Sequence, residues 1–151
     1  MTNDADIRMI DVGGKPVTLR TARASARLHA APDTIRRLRT GGLEKGDALA
    51  TARLAAIMAA KRTAEIVPLC HPLPLEAVTA DIRCDESTGV TIETCVRATA
   101  RTGVEMEALV AATAAALAIY DMCKSIDPAM TIERVRLEEK TGGVRGDFRR
   151  D

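Results

Sequence analysis

The chain has 151 residues, a formal net charge of +1, one Tyr, one Phe and no Trp. That length suits a single domain with one substantial core, and the balanced charge supplies no global basic field for holding nucleic acid. The scarcity of aromatic rings also excludes recognition of single-stranded nucleic acid by base stacking.

The first eleven residues include Asp4, Asp6 and Asp11 and lack the basic and apolar stretches of a signal peptide. No segment reads as the roughly 18 apolar residues of a bilayer span, so a cytoplasmic protein without membrane contact is expected. Cys70, Cys84, Cys95 and Cys123 show no C-x-x-C spacing and are expected as free thiols. With only His29 and His71 in the chain, and with Cys70 and His71 adjacent rather than spaced, no metal site is predicted.

Ala22, Ala24, Ala26 and Leu28 alternate with Arg23, Ser25, Arg27 and His29, the pattern of a strand with one wet face. Pro32 or Asp33 then opens a short helix that stops at Gly41-Gly42. Asp47 is placed as the N-cap of a longer helix running to about Thr63, with Leu49, Leu54, Ala55 and Met58 on its apolar face. The prolines of residues 68–74 make a stiff extended connector. A hairpin follows, Val78 to Asp85 and Val90 to Ala98, reversing near Gly89. Thr102-Gly103-Val104-Glu105 matches a capping box at the start of a helix that runs to Lys124. Val135 and Leu137 mark a last, weaker strand, and Gly142 to Gly146 read as a loop. Strand, helix, strand, strand, helix, strand is the βαββαβ order of a ferredoxin-like α+β domain. The prediction is therefore one domain over residues 1–151, a four-stranded antiparallel sheet with helices on one face, and flexible ends at 1–8 and 142–151.

The long helix carries no carboxylate or amine from Ala108 to Tyr120, after which Asp121 and Lys124 stand one turn apart. Glu107, Ala114 and Asp121 repeat every seven residues, as do Val110, Leu117 and Lys124, so all six share one stripe. A helix apolar on so many sides predicts burial beyond a single sheet contact, hence an oligomer interface. Charges at its rim are candidates for acid and base chemistry; the plain alternative is an exposed intrahelical pair. Elsewhere, Lys45 lies beside a helix amino end, and His71 is held between prolines as a fixed donor for an anion. A Cys70-His71 dyad is disfavoured, because neighbours on an extended chain point to opposite sides. The Gly142 to Gly146 loop, flanked by Lys140 and Arg145, lacks the Walker pattern, and Arg20 on its own reads as a surface charge. Convergence of Lys45, His71, Lys124 and Lys140 around one carboxylate would suit a polyphosphate substrate.

Lys45-Gly46-Asp47, Ala59 to Thr63, Pro68 to Leu73, Thr102 to Ala108 and Ile119 to Lys124 together resemble the cyclic pyranopterin monophosphate synthase family of molybdenum cofactor biosynthesis, in order from about Met9 to Phe148. The resemblance implies a ferredoxin-like fold and a homohexamer built from dimers. It also implies an activity that rearranges a cyclised dihydro-GTP into a pterin bearing a cyclic phosphate, with release of diphosphate. It places Asp121, Lys124 and Lys45 as catalytic groups, Leu69, Cys70, His71, Met106 and Glu107 in contact with substrate, and Lys140 and Arg20 near them. Many members carry Lys-Ser after the Gly-Gly pair, where this chain has Val144-Arg145. No cofactor is firmly implied, and Mg²⁺ enters only as an ion the phosphates would bring. On this reading Asp121 and Lys124 are an acid and base pair, Lys124 with a pKa lowered by desolvation, while His71 and Lys140 hold the polyphosphate. Glu107 and Asp121 lie four turns apart, roughly 21 Å, which calls for an extended substrate or a second subunit. The competing class is a non-catalytic, oligomeric ligand-binding module of the same fold.

Overall fold

Small apolar residues in alternation build the central strand. In the computed structural model, which describes residues 6–151, β1 (Thr18–His29) turns Ala22, Ala24, Ala26 and Leu28 inward at 1% exposure or less. Its other face meets charge: Arg23 pairs with Glu93, Arg27 with Glu86, and the Ser25 hydroxyl donates to Glu138. The hairpin β2 (Ala77–Glu86) and β3 (Gly89–Ala100) forms as expected, and β3 pairs antiparallel with β1. On the other side β1 pairs with β4 (Thr131–Thr141), longer than the weak strand expected around Val135 and Leu137.

The fold is ferredoxin-like α+β, with one addition: the sheet has five strands, in the order β2-β3-β1-β4-β5. The fifth, β5 (Phe148–Arg149), lies in the segment expected to be a flexible tail. A long β4 leaves unpaired backbone groups along its outer edge, and the chain satisfies some by reversing after Thr141, pairing Lys140 with Phe148 and donating Arg150 N–H to the Glu138 carbonyl at 2.8 Å. Of the expected flexible start, residues 1–5 lie outside the described residues.

Three helices fill the connection from β1 to β2: α1 (Pro32–Thr40), α2 (Ala48–Lys61) and α3 (Thr63–Ile66). Ala31, the N-cap of α1, offers no capping side chain of its own, and Asp127, 96 residues on in the α4 to β4 connection, serves instead. One oxygen of its buried carboxylate accepts from Ala31 N–H at 2.8 Å and from the Thr34 hydroxyl at 2.9 Å. Asp127→Ala is expected to cost about 2 kcal/mol, read as a lower urea midpoint at unchanged slope.

Asp47 caps α2 as the sequence indicates, accepting from Ala50 N–H at 3.0 Å. The core face of α2 differs from expectation. Ala48, Ala52, Ala56 and Ala60 are buried at four-residue spacing, whereas Leu54 is 57% and Met58 44% exposed. The reason is its neighbour α4 (Glu105–Cys123), itself buried through Ala108, Ala111, Ala112, Ala115 and Ala116. Small residues let two helices approach closely, and the larger side chains of α2 are left facing outward.

In α4 the capping box does not form: the N-cap is Val104, with no side-chain bond, and Glu105 instead reaches Lys140 at 3.4 Å. The stripe also turns out differently, since Glu107 is buried while Leu117, Asp121 and Lys124 lie exposed. At 19 residues α4 is long and apolar enough to cross a membrane by length and composition, contrary to the sequence reading. Half of that stretch is buried against the sheet and α2, the mark of a core helix. The buried Thr94 hydroxyl of β3 donates to the Ala108 carbonyl at 2.7 Å, fixing α4 on the sheet without an orphaned polar group.

Candidate active site

The polar residues singled out in the sequence gather in two places, one at each end of α4. At the carboxyl end Asp121 stands between two amines: Lys45 Nζ donates to Oδ2 and Lys124 Nζ to Oδ1, each at 2.8 Å. Lys45 arrives there because α2 begins where α4 ends. All three side chains are about half exposed. The hydrogen bond from Lys124, then that from Lys45, holds the Asp121 carboxyl down at about 2. The same bond pushes the Lys124 ammonium up from its ordinary value. The expected lowering of the Lys124 pKa is therefore reversed: within one chain this amine is solvated and salt-bridged rather than desolvated.

At the amino end Glu107 is 3% exposed, and its Oε1 has no hydrogen-bond partner. Burial pushes its carboxyl up to about 7. Its Oε2 lies 3.9 Å from Cys70 Sγ, whose thiol is pushed up by burial and then by the neighbouring Glu107 charge. Leu69 and Met106 add exposed apolar surface here, at 46% and 36%.

Beside this pair opens a cavity of about 330 Å³, lined by Arg20, Leu69, His71 and Lys140 among the expected residues. Arg20 is 8% exposed, not a surface charge; its guanidinium donates to the Ala100 carbonyl at 3.4 Å and to the Arg101 carbonyl at 3.1 Å. Gly142 and Gly143, at φ of 93° and 92°, pass directly over it. A Cβ on Gly142 would collide with the Leu19 carbonyl, and one on Gly143 with the Arg20 guanidinium.

One chain thus unites Arg20, His71 and Lys140, and separately Lys45, Asp121 and Lys124. It does not bring the two sets together, because they lie at opposite ends of α4, whose Glu107 and Asp121 stand about 21 Å apart along the helix axis. Two further cations of the cavity, Lys15 and Arg101, went unassigned, and they line it together with Arg145 of the glycine loop. Their signal was weak but present, each being a cation within two residues of a glycine in a connecting segment.

A ferredoxin-like domain with a cation-lined cavity and a lysine-clamped carboxylate defines the class: a small-molecule domain suited to a polyanionic ligand. The chain belongs to the MoaC family, whose sequence profile matches residues 9–143. Proteins named cyclic pyranopterin monophosphate synthase in Thermomicrobium roseum and Herpetosiphon aurantiacus are 54% and 56% identical to it, over 95% and 93% of this chain and 87% and 86% of their own lengths. Cyclic pyranopterin monophosphate synthase 3 of Mycobacterium tuberculosis is 54% identical over 95% of this chain and 81% of its own.

Proposed function

We propose that this protein is a cyclic pyranopterin monophosphate synthase of molybdenum cofactor biosynthesis, a lyase that converts cyclised dihydro-GTP to cyclic pyranopterin monophosphate and releases diphosphate. The observation that carries this reading is its 54% identity, over 95% of its length, to a relative bearing that name. The geometry supports it, since a nucleoside triphosphate derivative needs both a cationic cavity and proton-transferring groups. Asp121, Lys124 and Lys45 are the catalytic groups of this reading, while Leu69, Cys70, His71, Met106, Glu107, Arg20 and Lys140 bind substrate. Incubating the purified protein with cyclised dihydro-GTP tests it: stoichiometric diphosphate and the cyclic phosphate product are expected, and binding without turnover would favour a ligand-binding module.

The protein works in the cytoplasm as a homohexamer, a trimer of dimers, with each reaction centre shared between subunits. Two features support sharing: the halves stand at opposite ends of α4, and Leu54, Ile57, Met58 and Leu117 leave the outer faces of α2 and α4 apolar and exposed. Mixing Lys124→Ala with His71→Ala chains is expected to restore up to about a quarter to a half of wild-type activity, because some centres then draw both intact halves from different chains. Mixed assemblies as inactive as either parent would place each centre within one chain.

A further inference from the structure

A second hollow, of about 440 Å³, opens where α1 ends and α2 begins, and it shares no residue with the substrate cavity or the Asp121 clamp. Arg37 and Arg39 enter it from the last turn of α1 and Arg53 from α2, beside an apolar wall that includes the buried Leu38 and Ala48. Three guanidinium groups thus meet a single lining carboxylate, Asp47. That carboxylate is engaged in capping α2, where its Oδ1 accepts from Ala50 N–H at 3.0 Å. The helix end is satisfied, so the charge of the hollow comes from the arginines.

Their own partners leave most of that charge unbalanced. Arg39 Nε donates to the Cys84 carbonyl at 3.2 Å, a neutral group that fixes the side chain without neutralising it. Arg37 reaches Asp33 at 3.3 Å, but Arg36 shares that carboxylate. Among the described residues no carboxylate lies within ion-pairing distance of Arg39 or Arg53. In a chain of net charge +1 such a cluster repels itself, and a bound anion relieves the repulsion. Guanidinium forks match phosphate oxygens in pairs, and the volume suits a phosphate ester as well as the free ion.

The position of the hollow gives binding a consequence. The loop from Gly41 to Gly46 carries Lys45 to Asp121 and lines the hollow through Leu43 and Gly46. Among the described residues, Gly46 N–H to the Leu43 carbonyl, at 3.1 Å, is the one backbone hydrogen bond donated from within 42–46. A segment held by so little is stiffened when an anion bridges the arginines on either side of it.

We propose that Arg37, Arg39 and Arg53 form a binding site for a phosphate group, free or esterified, and that its occupancy stiffens the loop presenting Lys45. Neither the binding nor the stiffening depends on the reaction proposed above, and both are read without turnover.

Inorganic phosphate is the probe, titrated against the full chain at fixed ionic strength while amide hydrogen exchange is followed at residues 41–49. Slower exchange there, saturating with phosphate, is expected in wild type and equally in Lys140→Ala, whose lesion lies in the separate substrate cavity. Arg53→Ala should need about tenfold more phosphate for the same protection, and Arg37→Ala and Arg39→Ala should behave alike. Arg53 is exposed and without a carboxylate partner, so its variant should melt at the wild-type temperature in the absence of phosphate, which separates lost binding from lost fold. Glycerol 3-phosphate, titrated in parallel, distinguishes the sources: tighter binding than the free ion upholds the site for an ester, and equal or weaker binding upholds it for free phosphate. Equal protection in wild type and Arg53→Ala would overturn the site, as would acetate protecting the loop as well as phosphate, the mark of an adventitious ion only. Protection that vanishes in Lys140→Ala would assign the effect to the substrate cavity and overturn the site too. Binding that depends on Arg53 but leaves exchange at 41–49 unchanged would overturn the link to Lys45.

Discussion

Purified Lys124→Ala is expected to remain folded and to release diphosphate from cyclised dihydro-GTP more slowly by about 10²- to 10⁴-fold. The fold should tolerate the change because the Lys124 and Asp121 pair is exposed to solvent, which screens such pairs and leaves them little part in stability. The chemistry should not. Asp121 is ionised at any pH well above 2, and Lys124, pushed up by the same contact, stays protonated through neutral pH. In the isolated chain the pair therefore presents a carboxylate base beside an ammonium acid. Lys124→Arg keeps the charge but replaces the ammonium with a guanidinium that does not give up its proton, and it should fail nearly as badly. Removing Lys124 also removes the largest contribution to the low Asp121 value, so the Asp121 titration should move toward the ordinary carboxylate range, a change visible by carboxyl-carbon NMR. Near-normal turnover by Lys124→Ala would exclude the amine from proton transfer.

Glu107→Gln is expected to change how stability depends on pH. The Glu107 carboxyl is raised from 4.5 to about 7 by burial, with Oε1 lacking a partner. A group raised in the folded state favours the fold fully below pH 4.5, and that contribution disappears as pH climbs through 7, because the unfolded chain releases the proton first. Wild type should therefore lose about 3 kcal/mol between these limits, a loss that Glu107→Gln, being unable to ionise, escapes. Denaturation at pH 5 should find the two similar, and at pH 8 the variant should be more stable. Parallel stability curves would show that Glu107 titrates normally. Loss of turnover in the same variant is expected on the separate ground that Glu107 is among the residues proposed to bind substrate.

Where one physical rule dominated, the sequence was a reliable guide. The alternating alanines of β1 and the Asp47 cap appear where residue pattern alone put them, because each depends on neighbours a few residues away. The failures share a cause. Leu54 and Met58 look like core residues in isolation, and only the close alanine contact between α2 and α4 turns them outward. Thr102 and Glu105 have capping spacing, but Lys140, some 35 positions on, draws the glutamate away. Asp127 gives no hint in sequence that it caps a helix starting at Pro32. The site was half legible for the same reason. Its residues lie in recognisable motifs, but their division between the two ends of α4 belongs to three dimensions, and so does the gathering of Lys15, Arg101 and Arg145.

The alanine seam under α4 has a mechanical consequence. Side chains that end at Cβ have no rotamers with which to absorb a slip, so α4 behaves as a gauge block rather than a spring. Adding one residue near Ala111 would swing the Asp121 and Lys124 pair through about 100° and throw the seam out of register. If reaction centres are completed by neighbouring subunits, the distance between the two halves that each chain contributes is written into the number of turns in this one rod.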